Sequence, residues 1–162
     1  MKIYEGKFFM NLKKKENFSE KNTTLLFSFI ISKFITQLMK DGKKVSAEKI
    51  LNNILIKISL KGHSPVNVIT LAINNVKPLV EVKTVRLKGN SFQVPFPIKL
   101  SRQISLAIKT LIKSSVGKKK LEDLLVDELI NSSLGKSQSI KVTNSLHKLA
   151  SQNRLFTHYR WF

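Results

Sequence analysis

Cysteine is missing from the 162 residues, which excludes disulfides, thiolate metal sites and a cysteine nucleophile, and fits a reducing compartment. Acid is scarce: 10 Asp and Glu stand against 29 Lys and Arg, for a formal charge of +19. Self-repulsion on that scale calls for an anionic partner, nucleic acid ahead of an acidic membrane surface. Long apolar runs are absent as well. The most apolar stretch, Leu25 to Met39, is interrupted by Lys33 and falls short of the ~20 residues that span a bilayer, so it reads as a buried first helix and no membrane partner is expected. Phosphate-cradling glycine loops are absent, because DGKK (Asp41 to Lys44) and GKKK (Gly117 to Lys120) lack the spacing of nucleotide-binding motifs. His63, His147 and His158 lie far apart with no acidic or cysteine companion at ligand spacing. No catalytic constellation, metal or cofactor is expected, and the chain reads as a non-enzyme.

What is present suits one folded unit, since 42% hydrophobic residues can build a sizeable core at this length. Residues 1–22 show no sustained period and read as an irregular basic arm. Apolar residues at helical spacing then predict a mainly α domain over 23–162 with about six helices. Helix one spans Thr23 to Lys40 through Phe27, Ile30, Ile31, Phe34, Ile35, Leu38 and Met39; helix two opens on Ser46 as N-cap and buries Ile50, Leu51, Ile54, Leu55 and Ile58. Ser64-Pro65 starts helix three, with Ile69, Ala72, Ile73 and Val76 inward and Pro78 as the stop. Helix four buries Leu100, Ile104, Ala107, Ile108, Leu111 and Ile112, and helix five Leu121, Leu124, Leu125 and Leu129. Helix six runs roughly from Ser139 to Arg154 with Leu146, Leu149 and Ala150 inward, before the chain closes on FTHYRWF.

Between helices three and four, residues 79–97 alternate as a two-stranded ribbon does, with Phe92, Val94 and Phe96 on one face of the second strand. Pro95 and Pro97 place that strand at an edge, or where pairing stops. Such a hairpin could carry lysines merely as solvated edge charges. The charge map argues otherwise: from Val82 to Leu121 there is no acid, while Lys83, Arg86, Lys88, Lys99, Arg102, Lys109, Lys113, Lys118 and Lys119 all fall there. The four acids of the C-terminal half, Glu122, Asp123, Asp127 and Glu128, lie together on helix five, which is expected to face away from the anionic partner or toward a basic protein. A metal pair on these carboxylates is conceivable, a solvated helix face more so.

Three stretches, KFITQLMKDGKKVSAEKI, NVKPLVEVKTVRLKGNSFQVP and SLHKLASQNRLFTHYRWF, occur in that order. Through them the chain from about Lys33 to Phe162 resembles the bacterial and organellar family of small-subunit ribosomal protein seven. The resemblance implies six helices with a β-ribbon between the third and fourth and no enzymatic activity. It also implies binding to the 3′ major domain of small-subunit rRNA, nucleation of head assembly, contact with ribosomal protein eleven, and a place near the exit-site tRNA and the mRNA exit path. The family's basic positions fall here on Lys43, Lys44, Lys83, Arg86, Lys99, Arg102, Lys109, Lys118, Lys141, Lys148, Arg154 and Arg160. Val85 stands where the family has its first ribbon arginine, Val142 and Thr143 stand where basic residues are common, and the arginine-rich arm is replaced by a segment with only Lys13 to Lys15. The lysine, isoleucine and asparagine bias suggests an AT-rich genome. With the end shortly after HYRW it points to a mitochondrial matrix ribosome, a plastid one being the alternative. The rival class is a DNA-bending architectural protein with a basic ribbon, which would place a proline at the ribbon tip and form a dimer.

Overall fold

The computed structural model describes residues 26–161 apart from Lys88, Lys118 and Lys119, and the side chains of Leu87 and Trp161 also fall outside the description. Helix α1 covers 26–38. It is followed by α2 (Lys44–Leu60), α3 (Pro65–Val76), strands β1 (Val80–Leu87) and β2 (Asn90–Pro97), α4 (Leu100–Ser114), α5 (Leu121–Ser133), α6 (Gln138–Gln152) and a 3-10 segment, Arg154–Trp161. The mainly helical fold with one hairpin between the third and fourth helices is as the sequence predicts.

The core is the meeting of the apolar stripes. Phe34 of α1, Leu51, Ile54 and Ile58 of α2, Ile69 and Ile73 of α3, Ile108 and Leu111 of α4, and Leu125 and Leu129 of α5 are all buried. Helix α5 touches α2, α3, α4 and α6, so the most acidic helix is a central one.

Some local details differ from the sequence reading. Ser46 is not an N-cap: Asp41 and Gly42 turn through positive φ (52° and 72°), and Lys44 N donates to Gly42 O. The helix therefore restarts at Lys44, with Lys43 as its cap. Leu100 is exposed, bordering a groove with Leu26, Ile30, Ile73 and Ile104. Leu149 is exposed too, because the inward stripe of α6 is Ser139, Thr143 and Ala150. Thr143 explains this choice: its hydroxyl donates to Val76 O (2.9 Å), a carbonyl at the end of α3 that has no helical partner. Helix α6 is held at its N-terminus by a side chain from α5, since Glu128 Oε1 accepts from Ser139 N (2.9 Å) and from the Ser114 and Ser139 hydroxyls (3.2 and 2.5 Å). A carboxylate there also meets the positive end of the α6 dipole.

Candidate nucleic-acid interface

The ribbon is paired from Val80 opposite Pro97 to Leu87 opposite Asn90, with Lys83 opposite Val94, Val85 opposite Phe92 and Arg86 opposite Ser91. Pairing does not stop at the prolines. Pro95 O accepts from Arg160 Nε (2.6 Å), so the edge carrying the missing N–H points away from β1, and period two places Pro97 the same way. Both prolines lie at the base; Gly89, with φ 85°, makes the turn at the tip, next to Lys88, which lies outside the described residues.

Alternation splits the ribbon into two faces. One carries Glu81, Lys83, Val85, Phe92, Val94 and Phe96, the other Val82, Thr84, Arg86, Ser91, Gln93 and Pro95. On the first, Lys83 Nζ lies 5.3 Å from the centre of the Phe96 ring, and Phe92 packs 5.1 Å from both Phe156 and Tyr159. The 3-10 segment therefore clasps β2, a contact between distant parts of the chain for which the aromatic spacing of FTHY is the one signal in the sequence. At the base, Leu79 N donates to His147 Nε2 of α6 (3.1 Å). Beside it, Arg102 of α4 donates Nε and Nη2 to the two carboxylate oxygens of Glu81 (2.9 and 2.8 Å).

The cations outside the ribbon follow helix geometry. Arg102, Lys109 and Lys113 are seven and four positions apart, which puts them on one side of α4, opposite the buried Ile104, Ala107, Ile108 and Leu111. Lys141 and Lys148 share the side of α6 opposite Thr143 and Ala150. Lys43, Lys83, Arg86, Lys99, Lys109, Lys113, Lys141, Lys148 and Arg154 are exposed. No salt bridge between described residues uses any of these nine. Three expected contacts are engaged within the chain: Lys44 lies 3.6 Å from Glu48, Arg102 grips Glu81 and Arg160 holds Pro95 O. Lys118 and Lys119 fall outside the described residues. Thr143 is buried and cannot face a ligand.

The acids are disposed of elsewhere. Lys57 Nζ meets Glu122 (2.8 Å) and Asp123 (2.7 Å), and Lys61 meets Asp127 (2.5 Å). The basic neighbour of α5 is thus the C-terminal end of α2 in the same chain, where Lys57 and the cap residue Lys61 meet Asp123 and Asp127. Hydrogen bonds from Lys57, then Asn53, hold the Glu122 carboxyl below its ordinary 4.5, and Arg102 does the same for Glu81. Asp123 and then Glu122 raise Lys57 above its ordinary 10.5.

These directions fix a pH dependence. A depressed carboxyl stabilises the fold above its unfolded pKa and ceases to do so as pH falls through the lower, folded value. The melting temperature is therefore expected to decline as acid is added below about pH 4.5, and Glu122→Gln should shrink that decline. An identical acid profile in the variant would remove the α2–α5 clamp from the account. The raised Lys57 acts at the other end, stabilising below its unfolded pKa and losing its contribution as pH climbs through the folded value.

Residues 9–154 match the family model described as ribosomal protein S7p/S5e. The chain is similar to the small ribosomal subunit protein uS7 of Pelagibacter ubique, at 41% identity over 83% of this chain and 88% of that protein. It is 39% identical to the uS7 proteins of Bordetella petrii, over 81% of this chain and 86% of that one, and of Desulfovibrio desulfuricans, over 83% and 88%. A helical body, a ribbon between its third and fourth helices and a match over nine-tenths of the chain coincide, and the chain belongs to the S7p/S5e family of ribosomal proteins.

Proposed function

We propose that this chain, a structural and non-enzymatic component of the small ribosomal subunit, binds the 3′ major domain of the subunit's rRNA. In this reading it nucleates assembly of the head, with the ribbon directed toward the exit-site tRNA and the mRNA exit path and ribosomal protein eleven as a neighbour. The observation that carries this reading is the separation of charge. Three of the four acids of α5 are matched by lysines at the end of α2, while the ribbon, α4 and α6 expose Lys83, Arg86, Lys99, Lys109, Lys113, Lys141, Lys148 and Arg154 without a salt bridge among the described residues. A solvated surface normally mixes signs, and an unmixed one is the footprint of a polyanion. Lys43 extends the set at the start of α2, and Lys88, Lys118 and Lys119 belong to it by sequence.

The compartment proposed is the mitochondrial matrix. Its support is the composition, in which 25 lysines outnumber four arginines and isoleucine and asparagine are frequent, the bias of AT-rich codons.

The full chain is expected to bind a 3′-domain rRNA fragment more tightly than duplex DNA of equal length in the same salt, and to sediment with the small subunit in a mitochondrial extract. Equal affinity for the duplex would favour a DNA-bending role, and free protein at the top of the gradient would remove the ribosomal placement.

A further inference from the structure

The ribbon enters the body between α3 and α4 with an acid at its base. Glu81 is the single carboxylate between Glu48 and Glu122, and it sits among cations whose proposed task is to meet phosphate. Both of its oxygens are taken by one guanidinium, that of Arg102 (2.9 and 2.8 Å), in the fork-to-fork geometry that fixes direction as well as distance. The Glu81 side chain is 24% exposed and that of Arg102 57%, so the pair is reachable by solvent. A phosphate approaching Arg102 would meet the Glu81 carboxylate alongside it.

We infer that Arg102 is a positioning residue, which fixes the pose of the ribbon on α4 through Glu81, and not one of the phosphate contacts. The inference rests on the proposed RNA role of the ribbon. Leverage is the physical reason. Arg86 lies five residues beyond Glu81 along β1, about 17 Å at ~3.3 Å per residue. A swing of ~10° at the base carries it ~3 Å, as far as the whole length of a charge-assisted hydrogen bond, ~2.7–2.9 Å. An exposed ion pair adds little to stability, yet at the base of β1 it bears on where the tip is found, together with the clasp of Phe156 and Tyr159 on Phe92 of β2. The other holds on the ribbon come from α6 and the 3-10 segment: His147 on Leu79 N, Arg160 on Pro95 O, Asn153 on Gln93, and Phe156 and Tyr159 on Phe92; Glu81 is the point at which α4 joins them.

The test is binding of the full chain to the 3′-domain rRNA fragment across a salt series. Arg102→Ala is expected to weaken binding five- to tenfold, with the slope of log affinity against log salt and the melting temperature unchanged. The exchanged pair, Glu81→Arg with Arg102→Glu, keeps the net charge and is expected to return affinity to within about twofold of the parent. A slope shallower by about 0.7–0.9, the loss of one phosphate contact, with no rescue by the exchange, would overturn the assignment. So would an Arg102→Ala protein that binds like the parent. Arg86→Ala, measured alongside, separates the two claims: if it leaves affinity unaltered, the RNA role of the ribbon fails, whatever Arg102 does.

Discussion

Replacing Lys109, Lys113, Lys141 and Lys148 together by alanine is expected to weaken rRNA binding by two to three orders of magnitude near 0.15 M salt, and to flatten the salt slope by about three units. The figure follows from counterion release, in which each neutralised phosphate contributes ~0.7–0.9 to the slope. All four side chains are exposed and none forms a salt bridge among the described residues. They lie on the outward sides of α4 and α6, opposite the buried stripes. Their removal takes away no packing and relieves some self-repulsion, so the melting temperature should hold or rise slightly. A titration in which the fourfold variant keeps the parent's salt slope would mean that α4 and α6 do not meet RNA, and would confine the interface to the ribbon.

Phe34→Ala is expected to do the opposite. Phe34 is fully buried, at the head of the largest enclosed side chains, and packs in the cluster shared by α1 to α5. Truncating an enclosed phenylalanine costs about 3–5 kcal/mol once the cavity is included, out of a total of ~5–15 kcal/mol for a domain. At this chain length that corresponds to a fall in melting temperature of roughly 6–20 °C. Below the transition the folded protein should retain the parent's salt slope, because no cation has been touched. A melting temperature within a degree or two of the parent, measured by calorimetry or circular dichroism, would show that α1 is not part of the cooperative unit.

These two experiments also mark where the sequence was legible. Phe34, Ile54, Ile69, Ile108 and Leu129 recur at helical spacing, and each is buried where its helix meets the others; period and stop signals suffice for that, being local. The ribbon was equally plain, because alternation and Gly89 are local too. Legibility ended where one element answers another. Lys57 and Glu122 are 65 positions apart, and no periodicity says that a solvated-looking acid on α5 has a lysine of α2 waiting for it. Ser139 and Thr143 look like surface residues of α6 and are buried, since their hydroxyls serve Glu128 and Val76 O; a short polar side chain facing an uncapped helix end resembles, in sequence, one facing water. Arg102 and Arg160 read as cations for a ligand when only composition and motif are in view. Both also make hydrogen bonds within the chain, Arg102 to Glu81 and Arg160 to Pro95 O, which neither composition nor motif announces.

The clasp between the 3-10 segment and β2 bears on the order in which the molecule can be finished. Asn153 reaches Gln93 across 60 positions and Arg160 reaches Pro95 across 65, while Phe156 and Tyr159 close over Phe92. During synthesis from the N-terminus, the hairpin emerges and can zip by itself within microseconds. It then waits, paired but undocked, until α4, α5 and α6 have been made and the aromatic residues behind them arrive. Residues made some sixty positions after the hairpin thus complete its docking, alongside the hold of Arg102 on Glu81.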